Sequence, residues 1–462
     1  MLLKISLLLL HLTPIYSGFS NTDLAQVKWT FIFALSLFEF GSILCAAARN
    51  SVMLIVGRAV AGAGASAIFS GGMTIIGFSV PLEKRPIYLA AISSMFGISS
   101  VIGPLLGGAF TDGIGWRWCF WINLPFGAIS LGAVYFFFKP PVRKQSNLTT
   151  KQRILEIDLL GALFLICAIV CLLLALQWGG VTYSWKNSKI WGLFLGFALL
   201  ITVFIGLQFR RGDRGTIPPR ILKQRTVLFA SLYSCFMSMG VYTHIFYLPF
   251  YFQAVQNQSA KSSGIRTIPY LASNVLAAIL SGAGITVVGW YKPFMIFGAA
   301  IFTVGAGMIY TIDVNSNTGT WVGYQILAGF GSGIGIQIPF MAVQVVLSAK
   351  DMPSGNAIAI FFNSLGGAIS ISIAQNIFAN GLKENLPKYA PEVNVQTVVD
   401  AGATFLRRIV SPQSLPGVIK AYMVALSDAY TIAIAFGGLT TICACFVEWK
   451  SVKGKKITAA AA

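Results

Sequence analysis

Charge is the commodity this 462-residue sequence has least of: charged residues make up 10% of it, and only 14 of them are acidic against 33 basic. A soluble domain carries about 25% charged residues, so this chain lacks the polar groups to cover a water-facing surface. Histidine is almost absent, with only His11 and His244. That excludes a histidine-rich metal centre, and with no Ser/His/Asp constellation nothing in the sequence supports an enzyme. The seven cysteines (Cys45, Cys119, Cys167, Cys171, Cys235, Cys443, Cys445) are odd in number and show no CxxC or Cys/His spacing. A disulfide framework and a zinc site are therefore excluded, and the thiols read as small apolar residues in or beside apolar segments. No phosphate loop of the GxxxxGK[ST] type occurs, which excludes ATP as the energy source. The net charge of +19 is dispersed over short segments and forms no basic domain, which argues against a nucleic-acid partner.

What is abundant is apolar sequence, at 56% of residues and a mean hydropathy of +0.75. Thirteen apolar segments fall at 1–17, 28–48, 52–78, 87–111, 118–138, 158–178, 190–210, 225–252, 260–288, 291–311, 320–346, 354–380 and 426–448. Most are long enough to cross about 30 Å of hydrocarbon, so the bilayer is the expected solvent and partner. Each crossing must satisfy its own backbone hydrogen bonds, which selects helix, and the fold class is all-α integral membrane. Basic residues orient the chain. They concentrate in 139–157 (Lys139, Arg143, Lys144, Lys151, Arg153), in 210–225 (Arg210, Arg211, Arg214, Arg220, Lys223, Arg225) and in the tail (Lys450, Lys453, Lys455, Lys456). Lys84 and Arg85 in 81–87 fall on the same side. The excess places these stretches and the C-terminus in the cytoplasm, and the long 381–425 loop outside. Asn257-Gln-Ser259 then lies in an outer loop and is the glycosylation candidate, whereas Asn147-Leu-Thr149 is cytoplasmic.

The segments repeat. Helix 52–78 carries Gly57, Gly62, Gly64, Gly71 and Gly72, and the next carries "GPLLGG" (103–108). Later, 320–346 carries "GFGSGIG" (329–335), and the next carries Gly366–Gly367. A glycine-rich helix followed by a Gly-Gly helix thus occurs at matching places in two bundles. The expected division is an N-terminal bundle over 1–138 with five helices, loops and two linking helices over 139–224, a six-helix C-terminal bundle over 225–448 and a tail over 449–462. One helix is missing from the start by this internal count. Gly103, Gly107 and Gly108 offer a smooth face for close helix approach, and Pro104 removes one backbone hydrogen bond. Two readings stay open: ordinary small-residue packing, or a bendable helix at a moving interface between bundles.

Several stretches carry a resemblance. "GPLLGG" looks like the antiporter motif of the major facilitator superfamily, and "GRAVAGAGA" (57–65) resembles its fourth-helix motif, with Arg58 and Gly62 in place. "DGIGWRWCFWINLPFG" (112–127), "YLPFYFQAV" (247–255) with "SGIRTIP" (263–269), and "GGAISISIAQNIF" (366–378) are similar to stretches of the fourteen-helix drug:proton antiporter branch. Fungal toxin and metabolite exporters are its most similar members. The resemblance implies the major facilitator fold, here about thirteen helices as two bundles plus two extra central helices. Three departures stand against it. The acidic first helix has no counterpart; "GFSNTDLAQVK" (18–28) keeps Gly18, Asp23 and Lys28 but loses the register of the loop motif; and Ala61 stands where a Gln is typical. "MLLKISLLLLHLTPIYS" reads as a remnant of the second helix or a mis-set start, with a signal peptide as the rival reading.

The function implied is proton-coupled export of small lipophilic molecules such as drugs, toxins and secondary metabolites, with the proton gradient as energy source and no cofactor. The alternatives are an uptake carrier for a solute such as a siderophore, and a truncated membrane protein that no longer transports. The candidate proton-coupling residues are Glu39, Arg58 and His244. Arg58 inherits its role from the matching family arginine. Glu39 is equally a structural hydrogen-bonding group or half of a Glu39–Arg58 pair, and His244 equally a packed polar residue. Asn274, Gln325, Gln337, Gln344, Asn363, Gln375 and Asn376 either line a substrate cavity or hold helices together. A monomer at the plasma membrane, with the vacuolar membrane as alternative, completes the expectation.

Overall fold

A computed structural model describes residues 24–137, 158–348, 350–398, 406–407 and 409–453. Segment 1–17, the first expected crossing, lies outside the described residues, as does Asn147. The long helices are α1 (Leu24–Ala46), α2 (Ser51–Ser79), α3 (Arg85–Asp112), α4 (Asn123–Phe137), α5 (Leu159–Trp178), α6 (Ser188–Arg211), α7 (Arg225–Phe250), α8 (Ile268–Val288), α9 (Lys292–Tyr310), α10 (Thr318–Gly335), α11 (Ile338–Val346), α12 (Met352–Tyr389) and α13 (Leu415–Phe446). Among the described residues, 11 helical stretches are long and apolar enough to cross a membrane, and the 28-residue α3 runs beside them. The ends follow local chemistry. Asn50 accepts a bond from Met53 N at 2.8 Å at the start of α2, and Asn317 one from Thr320 N at 2.8 Å at the start of α10.

Two expected segments differ from what forms. The crossing over 320–346 is broken: α10 ends at Gly335 and α11 begins at Ile338, with Pro339 in its first turn. Proline lacks the N–H that would continue the ladder back to Gly335, so the helix restarts there. The 381–425 loop is shorter than expected, because α12 continues to Tyr389 and α13 already starts at Leu415. Lys383, Glu384 and Leu386 are good helix formers outside the apolar stretch, and hydropathy alone does not register them. These extensions build a small core of their own, in which Leu382, Leu386, Val398, Leu406, Val418 and Tyr422 are buried.

The main core belongs to α7–α13 and takes Met73, Leu82 and Leu89 from the first bundle. Small residues let backbones approach: a Cβ on Gly305 would lie 2.6 Å from Ala328 Cα, and one on Gly366 2.9 Å from the Cys235 carbonyl carbon. The linking pair α5–α6 packs on α12, where Leu165, Ile169 and Leu173 meet Phe361, Ala368 and Ile371. Asn376 Nδ2 donates to Leu176 O at 3.0 Å and also to Gly179 O, and Lys383 Nζ donates to Val181 O at 3.2 Å. Asn376 is thus a helix-to-loop tie rather than a cavity residue.

At the opposite end of the pair, Asp158 is buried and caps α5 through Gly161 N at 2.9 Å. It also accepts from Gln208 Nε2 at 2.8 Å, Thr216 N at 3.1 Å and Thr216 Oγ1 at 3.1 Å, with Arg211 at 3.4 Å. Burial alone would raise the Asp158 carboxyl, but these hydrogen bonds outweigh it and hold it below the usual carboxylate range. Arg220 then anchors the connection to the second bundle by bonds to Asp351 at 2.7 and 3.1 Å and to Asp213 at 3.0 Å.

Asp158→Ala removes a helix cap and strands three buried donors, so it should cost about 2–4 kcal/mol. Melting of the purified protein in detergent measures this. A carboxyl held low in the folded state stabilises above its unfolded pKa and loses that contribution as pH falls through the acidic range. The gap between wild type and Asp158→Ala should therefore be full at pH 7 and shrink below about pH 4.

Candidate functional site

The glycines of the first bundle do local work. Gly57 of α2 lies against Cys45, and a Cβ on Gly64 would sit 2.6 Å from Phe38 Cα, so α1 and α2 touch through their backbones. The aromatic stretch before α4 pins that helix to α1: Asn123 Nδ2 donates to Ser42 Oγ at 3.2 Å, and Arg117 Nη2 to Ala48 O at 2.9 Å. Arg58 stands over the Phe120 ring at 5.8 Å. Glu39 lies directly on Gly127 of α4, and its Oε2 is buried with no hydrogen-bond partner. An ion pair with Arg58 is therefore not what satisfies this oxygen.

In the second bundle the two signature stretches zip together. Past Phe250 the chain makes a π-helical turn over Tyr251–Val255, and Ser263 Oγ donates back to Pro249 O at 3.2 Å. Arg266 bonds Gln256 Oε1 and stands over the Trp321 ring at 5.6 Å; Gln256 Nε2 in turn donates to the Tyr251 hydroxyl at 2.8 Å. Asn257, the glycosylation candidate, is exposed with φ +56° just beyond this turn.

His244 is fully buried among Tyr270, Phe302 and Tyr430, at ring distances of 5.7, 5.7 and 6.1 Å, and neither ring nitrogen has a partner. Of the expected cavity residues, Asn274 donates to Ser332 Oγ at 2.8 Å and Asn363 to Ser234 Oγ at 3.1 Å; both tie helices together. Gln325 is buried with both amide atoms unpartnered, and Gln375 is half-buried on α12. Gln337, at the break between α10 and α11, reaches a small cavity lined by Pro86, Leu89, Gly282, Ile285 and Met341, and its Oε1 has no partner.

That cavity lies where the two bundles meet. Phe69 of α2 meets Phe340 of α11 edge-on at 6.2 Å, and a Cβ on Gly77 would lie 2.9 Å from Met352 Sδ. Along α3 the close approach is made by Gly282 of α8, where a Cβ would sit 2.8 Å from Pro86 O and 2.8 Å from Ala90 Cβ. The antiporter-like glycines behave differently. A Cβ on Gly103 or Gly107 would meet no described atom within 4 Å, and the neighbouring Ile102 and Leu106 are exposed. Among the described residues, the close approach to α3 in this conformation is made at Gly282. Of Pro104 and Gly108 the structure describes only the helical backbone.

Arg85 is the residue that sequence reasoning missed. It counts there as a loop cation, yet it is fully buried. Its Nε donates to Val80 O at 3.0 Å and its Nη2 to Gly77 O, while Nη1 crosses to Gln344 Oε1 at 3.2 Å and Met352 Sδ at 3.6 Å. Gln344, expected to face substrate, is the acceptor of this inter-bundle bond. Pro86 was the available signal, since it starts α3 at Arg85 and turns a loop cation into a first-turn residue.

Three comparisons place this geometry. The family profile described as Major Facilitator Superfamily matches residues 11–371. The "MFS-type efflux pump MFS1" of Arthroderma benhamiae is 46% identical over 437 residues, covering 94% of this chain and 82% of that protein. "Efflux pump roqT" of Penicillium rubens is 43% identical over 433 residues, covering 94% and 80%. Among solved structures, the human organic anion transporter MFSD10 superposes with a TM-score of 0.59 over 96% of this chain and 82% of that one. The proton:xylose symporter XylE gives 0.59 over 97% and 86%. Both are 13% identical, so they speak to the fold alone.

Gly282→Leu should force α3 from α8, whereas Gly107→Ala should leave their contact intact. Disulfide trapping between Ala90→Cys and Ser281→Cys reads this. The bridge should form in the parent and in Gly107→Ala, and should fall at least severalfold in Gly282→Leu.

Proposed function

This chain belongs to the major facilitator superfamily, and on that premise we propose that it exports small lipophilic organic molecules by alternating access, driven by inward proton flow. The observation that carries the reading is the match to two fungal efflux pumps at more than 40% identity across nearly the whole chain. The expected multi-pass membrane placement accords with the apolar helices, and we assign the protein to the plasma membrane as a monomer. The arginine- and lysine-rich end, with Lys84, Arg220 and the tail, is cytoplasmic in this reading.

Coupling to protons needs a group at membrane depth that holds a proton in one state and releases it in another. Glu39 suits that role best among the candidates. One of its carboxyl oxygens is buried without a partner on α1, beside α4, and it is the acid among the three proposed residues. Arg58 lies on the neighbouring helix, over the Phe120 ring. His244 is enclosed by rings inside the second bundle, so a proton on it would have to be stabilised by their faces. Substrate would contact Gln337 and Gln344 at the bundle interface, with Asn274, Asn363, Gln325 and Gln375 supporting the second bundle.

Efflux of Nile red, a neutral lipophilic dye, from cells expressing the chain tests the function. Expression should speed efflux, and a protonophore should abolish the gain; efflux equal to that of empty cells would defeat the exporter reading. Glu39→Gln should lose uphill export yet keep downhill dye exchange, because proton release is removed but the rocking motion is not. Orientation has its own check. Asn257 lies at the same end as the 390–414 segment, since Arg407 Nη2 donates to Val255 O at 3.2 Å. An endoglycosidase-sensitive mobility shift abolished by Asn257→Gln would place that end outside, and a tail epitope reached on intact cells would contradict it.

A further inference from the structure

The corner around Arg85 has more donors than the closed structure uses. The guanidinium is fully buried between α2, α3, α11 and α12, and each of its bonds goes to a neutral acceptor: two carbonyls, one amide oxygen and one thioether. Among the described residues, no carboxylate bonds it. The acid next to Met352 in sequence, Asp351, is held by Arg220 at 2.7 and 3.1 Å and by Ser348 Oγ at 3.0 Å. Those bonds, first that from Arg220, keep the Asp351 carboxyl below its usual range and fix it as the partner of a different cation. Beyond Arg85 the polar chain continues inward. Gln344 Nε2 donates to Asn356 Oδ1 at 3.4 Å, and Asn356, itself fully buried, leaves its Nδ2 with no partner. A cation against Met352, next to Pro86 of the cavity that Leu89 and Met341 line, and followed by an unfilled amide donor, is an unusual thing to bury. Uncompensated charge and an orphaned donor both oppose burial.

We propose that Arg85, Gln344 and Asn356 form a recognition site for the anionic group of an amphipathic substrate, so that lipophilic organic acids are a preferred class of cargo. This rests on the exporter reading. When the bundles part at this end, Nη1 is released from Gln344 Oε1 and Met352 Sδ. A carboxylate or enolate then takes the guanidinium and the Asn356 Nδ2–H, while the apolar body lies against Leu89 and the two methionines. Guanidinium and carboxylate geometries match, and such charge-assisted bonds are about twice as strong as neutral ones. Closure re-forms the Arg85–Gln344 bond and leaves no room for the anion, so the site loads only in the open state and empties as the end closes. A ligand that binds one state alone shifts the population toward it.

The test is binding to the purified full chain, read by thermal shift with 9-anthracenecarboxylate and with its neutral counterpart 9-anthracenemethanol. Wild type should bind the acid about tenfold or more tightly than the alcohol, the scale of one charge-assisted bond. Arg85→Gln should erase that preference and keep alcohol binding; Arg85→Lys should retain part of it. Asn356→Ala provides a milder arm in case Arg85→Gln does not fold, and should weaken the acid selectively. Absence of an acid preference in wild type overturns the proposal. So does equal loss of both ligands in Arg85→Gln, which would leave Arg85 a clasp between bundles, or an unchanged preference in Asn356→Ala. Acid preference without Nile red efflux would instead sink the exporter reading and leave the site standing; efflux without acid preference does the reverse.

Discussion

Hydrocarbon gives apolar helices no reason to leave it for one another, and the architecture depends on that constraint. Between soluble helices, burying leucine is itself the driving force; between these, only contacts better than those with lipid tails count. The chain meets the demand by letting backbones touch. At several helix contacts glycine faces main chain, as Gly64 faces Phe38, Gly305 faces Ala328 and Gly366 faces Cys235. Hydrogen bonds between side chains and main chain across helices, such as Asn363 Nδ2 to the Ser234 carbonyl at 3.4 Å and Ser238 to the Asn363 carbonyl at 2.5 Å, add to this. The second bundle is dense in such contacts and is the buried core of the molecule.

Polar groups are correspondingly unevenly distributed. Where a polar side chain is fully bonded, it ties elements that then move as one. Asp158 ties the linking pair to the segment that follows it, Arg220 ties that segment to the second bundle, and Asn376 and Lys383 bind the pair to α12 at the other end. Among the described residues, the extra helices are thus tied to that bundle. Unsatisfied polar side chains fall in two places: His244 and Gln325 lie inside the second bundle, whereas Glu39 lies between α1 and α4, Gln337 at the broken helix and Asn356 at the bundle interface. An orphaned buried donor destabilises one conformation, and by doing so it favours another in which the group finds a partner.

The class of protein, most helix positions and the family were legible in the sequence because each depends on local pattern. Length and hydropathy report bilayer crossings, and motif order reports kinship. Three features were not legible, each for a physical reason. The break between Gly335 and Ile338 depends on backbone geometry that hydropathy does not sense. Lys383 to Tyr389 continue a helix whose polar residues look like loop. Arg85 reads as a cytoplasmic cation because positive-inside counting assumes that loop charges meet water, and a proline one residue later turns this one inward. The candidate site was legible as a list of polar residues but not as a sorted one. Which of Asn274, Asn363, Gln337 and Gln344 tie helices, and which face an interface, depends on helix rotation.

The glycines that first draw the eye, Gly103 and Gly107, show why that sorting matters for mechanism. A glycine pair on a helix face permits close approach but does not say in which state the approach occurs. Here α3 closes on α8 through Gly282, with Arg85 sealing the same end, while a Cβ at Gly103 or Gly107 would meet no described atom within 4 Å. Two alternative contact faces on one helix are what a rocking interface requires, because each state needs its own close-packed surface and neither may obstruct the other. If the Gly103–Gly107 face is the one used when the Arg85 end opens, closure and opening exchange one glycine contact for another. The buried guanidinium bears on that balance: among the described residues its bonds in this conformation go to neutral acceptors, and opening would expose it to water or to an anion. A charge held by neutral acceptors closes that end less firmly than an ion pair would, and a weaker closure is one that a ligand's binding energy can open.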